Sequence, residues 1–327
     1  MPICTFVVEN PDNTAVRLDT YAASVIPENI SRSRLKAGLK TLTVNGKNAK
    51  LSAKIKHSDT VVLEWEDPIP QEIIPQDIPL NILYEDENVT VLNKKQGMVT
   101  HPANGNWTGT LVNALLFHWG KEAVVSSEDK NILFVANRRP GIVHRLDKDT
   151  SGTIITAKNR ETEAYLQDQF KKRRVKKEYI AIVKGHPPLE HGAIKTNLVR
   201  DSIDRKKFTT TMDTAKGKFA HTVYTCIAVY GPYSLMKITL KTGRTHQIRV
   251  HLKHIGCPIL GDPMYGIRDS QFKTATLMLH SYKLGIRLPG TAEFSEFKSS
   301  VPVRFKKIMQ LLHKTYERTS IFIRNNT

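Results

Sequence analysis

The sequence predicts an α+β protein of two domains, one large and one small. Strand-like runs of apolar residues recur through the chain, centred on Val89, Ile154, Tyr179, Val223 and Leu235. Helical patterns lie between some of these runs, at residues 110–116 and 159–173. At 327 residues the chain is also longer than one hydrophobic core usually serves. These observations indicate the fold class, but they do not fix its topology.

The composition favours a globular protein whose partner is a polyanion. The chain has 49 lysines and arginines against 31 aspartates and glutamates, which gives a net charge of +18. Self-repulsion on this scale favours nucleic acid as the partner. No apolar run approaches the roughly 20 residues that a membrane span needs, and the first residues do not read as a signal peptide. We therefore expect a cytoplasmic protein without membrane contact. The three cysteines form no Cys-x-x-Cys pair, which argues against disulfides and a thiolate metal site.

Residues 1–66 are predicted to form the small domain, in which two short helices lead into a β-hairpin. Asn45-Gly46 is a strong hairpin turn signal, and Ser31 is a candidate helix cap. The helix that follows Ser31 exposes basic side chains suited to a phosphate backbone, namely Arg32, Arg34 and Lys36. This segment, also α+β, resembles the S-four-like RNA-binding module that often precedes RNA-modifying enzymes.

Prolines then punctuate residues 67–80, at positions 68, 70, 75 and 79. Neither a helix nor a central strand tolerates so many missing N–H donors. We therefore predict a semi-rigid linker, and residues 81–327 would form the large domain.

The most informative stretch of the large domain is residues 139–152, because charged side chains stand there between two apolar runs. A strand-like run precedes the polar interruption, and a second strand follows from Thr153. This order places Arg145 and Asp147 at a strand end, where an acid and a cation two residues apart suit an active site. A salt-bridged surface turn is the alternative that these residues alone leave open.

Residues 141–152 read Gly-Ile-Val-His-Arg-Leu-Asp-Lys-Asp-Thr-Ser-Gly. They closely resemble the catalytic motif of the Rlu-type (RluA/RluD-like) pseudouridine synthases that modify large-subunit ribosomal RNA. A protein-kinase signature would need a contiguous His-Arg-Asp and a downstream Asn, which are absent. The resemblance implies that Asp147 is the catalytic carboxylate. We expect Arg145 to fill the gap that a flipped-out target nucleotide leaves, and His144 to contact RNA.

The following element is predicted as a helix that Asn159 caps and that ends near Arg173. A basic run starts at the C-terminal end of this helix, and we predict that it binds phosphate. The alternative is a solvated helix end, since basic side chains are common at helix C-termini. The predicted RNA-binding residues here are Lys171, Lys172, Arg173, Arg174, Lys176 and Lys177, with Arg205 on a later loop. Tyr179 occupies the position of the family's Lys-x-Tyr motif, where the resemblance implies a tyrosine against the target base.

Residues 243–249, Gly-Arg-Thr-His-Gln-Ile-Arg, match another motif of the same family almost completely. Thr245 is a candidate helix cap, and the apolar stripe through Ile248 and Leu252 puts Arg249 off the buried face. The resemblance implies that an arginine of this motif pairs with the catalytic aspartate. Arg249 is our choice for the partner.

Arg244 stays open as the alternative partner of Asp147 and is otherwise predicted to bind RNA.

Three histidines in or near this helix suggest a metal site, namely His246, His251 and His254. The His-Glu-x-x-His pattern is absent, so we predict no metal.

The motifs together predict an RNA pseudouridine synthase. By resemblance its fold is the pseudouridine-synthase fold, a mixed, largely antiparallel sheet with flanking helices and a central cleft. The reaction breaks the bond between base and sugar and rejoins the sugar to carbon five of the same base. It needs no redox change, so we expect no cofactor. The carboxylate either attacks the sugar or removes a sugar proton, and the sequence leaves both routes open.

We expect the substrate to be large-subunit ribosomal RNA, naked or in a ribosome assembly intermediate, and the enzyme to be a monomer. One alternative is a non-catalytic RNA-binding or ribosome-assembly protein. That alternative is disfavoured because binding alone gains nothing from an acid that faces phosphates. A second alternative is an RNA glycosidase, which would release the base instead of retaining it.

Overall fold

The computed structural model describes residues 3–10, 12, 14–26, 35–36, 38–65, 73–102, 106–120, 140–316 and 318–319. The chain divides into two compact units, Met1–Gln71 and Glu72–Thr327. The helices are α1 (Leu18–Val25), α2 (Leu111–His118), α3 (Arg160–Lys171), α4 (Gln247–His254) and α5 (Val303–Thr315). The strands are β1 (Ile3–Val7), β2 (Val16–Arg17), β3 (Leu39–Val44), β4 (Lys47–Asn48), β5 (Lys54–Ile55), β6 (Thr60–Trp65), β7 (Ile82–Glu85), β8 (Val89–Lys94), β9 (Ser151–Ala157), β10 (Lys176–Lys184), β11 (His191–Arg200), β12 (Phe208–Thr211), β13 (Lys218–Tyr230), β14 (Tyr233–Leu240), β15 (Leu279–Arg287), β16 (Phe294–Lys298) and β17 (Arg318–Thr319).

The first unit is built on a four-stranded antiparallel sheet in the order β1-β6-β3-β4. β2 and β5 form a separate two-stranded ladder. Leu18 of α1 shares an apolar core with Leu42 and Leu63 of the sheet. Asn45 and Gly46 connect β3 to β4 with positive φ angles of 51° and 76°. Two positive φ values are what a tight hairpin turn requires, so the predicted hairpin is confirmed.

Most of the predicted RNA-binding face of this unit lies outside the described residues, which exclude Ser31, Arg32 and Arg34. Lys36 is described and exposed. The S-four-like assignment and the RNA contact of this face therefore stay predictions.

The second unit is organised by one sheet in the order β12-β11-β13-β14-β10-β15-β9-β8-β7, with β16 on β15 and β17 on β13. Its described strand pairs are antiparallel, except that β9 runs parallel to β15. The predicted mixed, largely antiparallel sheet is therefore confirmed. The apolar runs of the sequence fall in β8, β9, β10, β13 and β14.

Two of the flanking helices begin where side chains satisfy their first N–H groups. Thr110 and Asn113 form a capping box at the start of α2. The side chain of Asn159 accepts a hydrogen bond from the Thr162 amide at 2.8 Å, which confirms the predicted cap of α3. α3 ends at Lys171, two residues earlier than predicted. None of the described helices is long and apolar enough to cross a membrane.

The parallel contact between β9 and β15 fixes where the Asp147 loop ends. In this pair His280 faces Ser151 and Ser281 faces Gly152. Gly152 has a φ of 120°, and a Cβ at this position would overlap the Ser281 backbone. Only glycine therefore allows the two strands to approach so closely. Since β9 begins at Ser151, this approach anchors the loop at its C-terminal end.

The predicted linker, residues 67–80, differs from the structure in its described part. Ile73 is buried in the core of the larger unit. The side-chain amide of Asn113 donates to the Ile74 carbonyl at 2.8 Å, and the Gln76 amide donates to the Asn113 carbonyl at 3.0 Å. Residues 73–76 are therefore part of the larger unit, although Pro75 and the prolines on either side of this segment resemble a linker.

A chain that begins at Glu72 should keep the stability of the larger unit, whereas one that begins at Asn81 should lose part of it. The shorter chain removes Ile73 from the core, at a cost of about 1.5 to 3 kcal/mol for a fully buried apolar side chain. Urea denaturation of the two chains measures this difference. In the whole chain, Ile73→Ala should be destabilising and Ile74→Ala, whose side chain is 62% exposed, should be neutral. Equal free energies of unfolding for the two shortened chains would contradict this assignment.

Candidate active site

The larger unit contains a cleft of about 470 Å³. Its lining comes from the loop at residues 143–150, from the end of α3 with the start of β10, and from residues 240–249. Arg145, Asp147, Tyr179 and Arg249 all belong to this lining. Residues that are far apart in the sequence thus meet at one surface.

The loop that carries Asp147 is held from behind by hydrogen bonds to its backbone. The Thr100 hydroxyl donates to the Leu146 carbonyl at 2.9 Å. The Thr150 amide donates to the Asp147 carbonyl at 3.1 Å, which closes a tight turn. The backbone is therefore fixed while the Asp147 carboxylate, 19% exposed, faces the cleft.

Lys94 supports the same loop and was not singled out in the sequence. Its ammonium group is buried and donates to the carbonyl oxygens of Met98 and Lys148, at 2.8 and 3.2 Å. Burial lowers the pKa of Lys94 to about 7, although Asp147 and Asp149 act in the opposite direction. A lysine at the end of a buried strand, just before a glycine turn, is the signal that could have identified it.

Arg249 is buried in the first turn of α4, which corrects the prediction that it lies off the buried face. Its Nε and NH2 groups each donate to an oxygen of Asp262, both at 2.7 Å. Its NH1 group lies 3.5 Å from Oδ2 of Asp147. The pair with Asp147 therefore exists, but the principal partner of Arg249 is Asp262.

Asp262 is the main site residue that sequence reasoning missed. Its Oδ1 also accepts the backbone amides of Met264 and Tyr265, at 2.8 and 3.0 Å. Burial would raise the pKa of Asp262, but the hydrogen bonds and charge of Arg249 outweigh burial and lower it. Burial would likewise lower the pKa of Arg249, but the hydrogen bonds and charge of Asp262 outweigh burial and raise it. Both groups are therefore charged, and each depends on the other.

Arg244, the alternative partner, does not approach Asp147. It lines the cleft, and its Nε donates to the Phe219 carbonyl at 3.1 Å. The predicted helix cap at Thr245 is wrong, because α4 begins after His246, whose φ is 57°. The Gln247 side chain instead accepts the Arg244 amide at 3.0 Å.

His246 also faces Asp147. Its Nε2 lies 3.9 Å from Oδ2 of Asp147, and its Nδ1 lies 2.9 Å from the Tyr265 hydroxyl. The sequence raised this histidine only as a candidate metal ligand. No cluster of three or more potential metal ligands occurs among the described residues.

Tyr179 is 7% exposed and lines the cleft from β10. Burial raises its pKa to about 12, with Ser281 opposing and Asp147 reinforcing the shift. The phenol is therefore neutral across the physiological pH range, and it offers the cleft an aromatic ring.

Only some residues of the basic run at the end of α3 lie at the cleft. Lys171, Arg173 and Lys177 line the cleft. Lys172 instead pairs with Asp168 at 2.8 Å, and the Lys176 ammonium lies 4.8 Å from the centre of the Phe294 ring. Outside the lining are Arg174 and Arg205, both exposed. Half of the predicted patch is therefore placed at the cleft.

His144 is poorly suited to the predicted RNA contact. Its Nε2 accepts the Ile155 amide at 3.1 Å, and its ring stacks on Phe170 with a centroid distance of 4.6 Å. Burial lowers the pKa of His144 to about 3, and Lys177 adds to the shift. The ring is therefore neutral and lacks the charge that a phosphate contact would use. His144 and Arg145 both line the cleft, and Arg145 is the exposed one.

This cleft, with a carboxylate between cations and an aromatic ring, lies within a sheet domain that matches a known family. The family model described as RNA pseudouridylate synthase matches residues 88–254. The chain belongs to this family, and it is an RNA pseudouridine synthase, an isomerase.

Particular relatives are similar over nearly the whole chain. Ribosomal large subunit pseudouridine synthase D of Borreliella burgdorferi is 43% identical over 311 residues, which cover 93% of this chain and 91% of that protein. The protein of the same name from Zymomonas mobilis is 41% identical and covers 91% of this chain and 93% of its own length. The solved structure of human RNA pseudouridylate synthase domain containing 4 covers 71% of this chain and 93% of that chain, with a TM-score of 0.55 and 24% identity. That last likeness supports the fold alone.

Asp262→Asn should reduce both activity and stability. Either orientation of the new amide would place an N–H against a donor, because Arg249 occupies both oxygens. Breaking a buried ion pair by removing one partner costs about 3 to 5 kcal/mol, which denaturant unfolding measures. Since folding lowers the pKa of Asp262, its charge stabilises the folded protein at pH values above the ordinary aspartate pKa of about 3.9. This stabilisation is lost as the pH falls through the pKa of Asp262 in the folded protein. The difference in free energy of unfolding between Asp262→Asn and wild type should therefore be constant from about pH 5 to 8 and shrink in acid.

Asp269→Asn is the matched control. The Asp269 side chain is only 4% exposed, accepts the Tyr233 hydroxyl at 2.9 Å and pairs with Lys184 at 3.1 Å, but it does not line the cleft. It should lose stability and keep its single-turnover rate. A stable, fully active Asp262→Asn protein would contradict the role of Asp262.

Proposed function

We propose that this synthase isomerises uridines of large-subunit ribosomal RNA, with Asp147 as the catalytic carboxylate. The observation that carries the proposal is the position of Asp147. Its carboxylate faces the cleft, and both described cationic or donor partners, Arg249 and His246, lie against the same oxygen, Oδ2. Oδ1 is then the oxygen that remains available to a substrate.

One available carboxylate oxygen suits either route of the reaction. It can attack the anomeric carbon of the target nucleoside, or it can take a proton from the sugar. Both routes need a carboxylate with a fixed rotamer, and the contact of Arg249 with Oδ2 helps to hold it. The reaction itself is an internal rearrangement, so this scheme uses protein side chains without a cofactor or metal.

The other cleft residues receive roles from their placement and chemistry. Tyr179 offers its ring face to the freed uracil and so keeps the base from leaving. Arg145 is exposed beside Asp147, where it would fill the space that the extruded nucleotide leaves. Lys171, Arg173 and Lys177 line the same cleft and would hold the phosphates on either side of the target.

The choice of ribosomal RNA rests on two supports. Several similar proteins are named ribosomal large subunit pseudouridine synthase D, and the net charge of +18 suits a polyanionic substrate. The substrate is large-subunit RNA, free or within an assembly intermediate. The enzyme acts as a monomer in the cytoplasm, and the first unit adds RNA affinity through Arg32, Arg34 and Lys36.

Asp147→Asn should abolish pseudouridine formation while RNA affinity changes by only a few fold, because the substitution removes the reacting charge and no phosphate contact. Single-turnover conversion of large-subunit RNA and a filter-binding assay measure the two effects. Asp168→Asn, which removes a charge from an exposed ion pair with Lys172, is the control and should stay active. Substantial isomerisation by purified Asp147→Asn enzyme would overturn the assignment.

Arg145→Ala should lose rate on a substrate whose target uridine is paired and regain part of it when that uridine is unpaired. An unpaired base needs less unstacking energy, so the arginine contributes less. Asp147 variants should gain nothing from the unpaired substrate. Single-turnover rates on the two versions of one RNA decide the matter: equal defects of Arg145→Ala on both would remove the flipping role.

A further inference from the structure

The contacts of His246 define which of its ring nitrogens carries the proton. The Phe208 backbone amide can only donate, and it donates to the Tyr265 hydroxyl oxygen at 2.9 Å. Among the described residues the other hydrogen-bond partner of this hydroxyl is Nδ1 of His246, at 2.9 Å. Since the phenol has one proton to donate, that proton is directed at Nδ1. Nδ1 is then the acceptor, and a neutral ring carries its proton on Nε2.

The Nε2 proton faces the proposed catalytic carboxylate. Nε2 lies 3.9 Å from Oδ2 of Asp147, which is longer than a hydrogen bond. Hydrogen bonds of an active site are often long before the substrate binds and shorten in the complex. A small movement of the exposed edge of the Asp147 carboxylate would complete this one.

We propose that His246 is a positioning residue for Asp147: a neutral imidazole that Tyr265 holds in one tautomer and that donates from Nε2 to Oδ2. This inference rests on the proposed function of Asp147. His246 and Arg249 together hold Oδ2 of Asp147 from two sides and direct Oδ1 toward the substrate. His246 is not a proton acceptor in this arrangement, because Nδ1 is occupied and Nε2 already carries the proton.

The surroundings favour the neutral ring. Burial lowers the pKa of His246, and the positive charges of Arg249 and Arg145 lower it further. The carboxylates of Asp147 and Asp262 act in the opposite direction, and the net shift is downward. The rings that pack against His246, Phe208 and Tyr265, bring no charge at neutral pH. Protonation of Nδ1 would also displace the hydrogen bond that the Tyr265 hydroxyl donates.

Tyr265 can be altered without disturbing the other partner of Asp147. Its ring lies 5.0 Å from the guanidinium carbon of Arg249, and its backbone amide donates to Asp262 at 3.0 Å. Tyr265→Phe retains both contacts and removes only the hydroxyl. The variant therefore separates the His246 contact from the Arg249 contact.

Substitution of His246 tests the donor directly. In His246→Gln the side chain reaches about as far as Nε2 and keeps an N–H for Asp147, whereas in His246→Asn it reaches only as far as Nδ1. We expect single-turnover rates at saturating RNA to fall about 10- to 100-fold for His246→Ala and His246→Asn, with His246→Gln recovering most of the loss. RNA affinity should stay within about twofold of wild type.

Backbone strain predicts the opposite order, which makes the comparison decisive. His246 has a φ of 57°, in the left-handed region that asparagine tolerates better than glutamine. If the residue served only the backbone, His246→Asn would be the best variant. A rate for His246→Asn equal to or above that of His246→Gln would therefore overturn the proposal, as would a fully active His246→Ala enzyme.

The pH profile supplies an independent readout. In Tyr265→Phe the ring nitrogen Nδ1 loses its donor, so the pKa of His246 should rise, and a protonated ring would bind the Asp147 carboxylate as an ion pair and hold back its reaction. The acid limb of the single-turnover rate should therefore move toward neutral pH in Tyr265→Phe, and the shift should vanish when His246→Gln is added. An unchanged profile for Tyr265→Phe would contradict the tautomer argument. Substantial isomerisation by Asp147→Asn enzyme would instead contradict the proposed function of Asp147 on which this inference rests.

Discussion

The site depends on the buried ion pair between Arg249 and Asp262. Two hydrogen bonds of 2.7 Å fix the guanidinium plane, and the third nitrogen is thereby aimed at Asp147. Asp262 also accepts two backbone amides of its own turn, so the pair sets the conformation of the chain around Tyr265. Removing Asp262 would leave the buried Arg249 with only its 3.5 Å contact to Asp147, which is far more costly than losing an exposed ion pair. The proposed catalytic geometry therefore rests on a contact with Asp262, a residue that does not line the cleft.

The sheet supplies rigidity on the opposite side of the cleft. The middle of the Asp147 loop is held by Lys94, at the end of β8, and by Thr100, whose side chains donate to the carbonyl groups of Lys148 and Leu146. The loop ends where Gly152 lets β9 approach β15. A buried lysine is expensive to desolvate, and here that cost is offset by hydrogen bonds to backbone carbonyls. The loop can thus present charged side chains to the cleft while its backbone stays fixed.

Local signals in the sequence were sufficient where the controlling contacts are local. The Asn45-Gly46 hairpin and the Asn159 cap are set by residues within a few positions, and both are confirmed. The burial of Arg249 was not predictable in the same way, because a helical pattern cannot show that a carboxylate from a later turn covers the polar face. The Thr245 cap was wrong because the helix begins one residue later, after His246, whose side chain makes no cap hydrogen bond. The Asp147 loop itself was recognisable because burial does not explain its charges.

A strongly basic cleft poses a problem for a reactive carboxylate, and the arrangement of charges offers a solution. The cations that attract RNA would also attract Asp147, and a tight bidentate pair would hold its lone pairs away from a substrate. In the structure the tight pair is made by Asp262, while Arg249 stands 3.5 Å from Asp147. Asp262 thus takes two of the five guanidinium N–H groups in a bidentate pair. Arg249 therefore orients the Asp147 carboxylate and places a positive charge near Oδ2. Oδ1 remains free for the chemistry proposed for it.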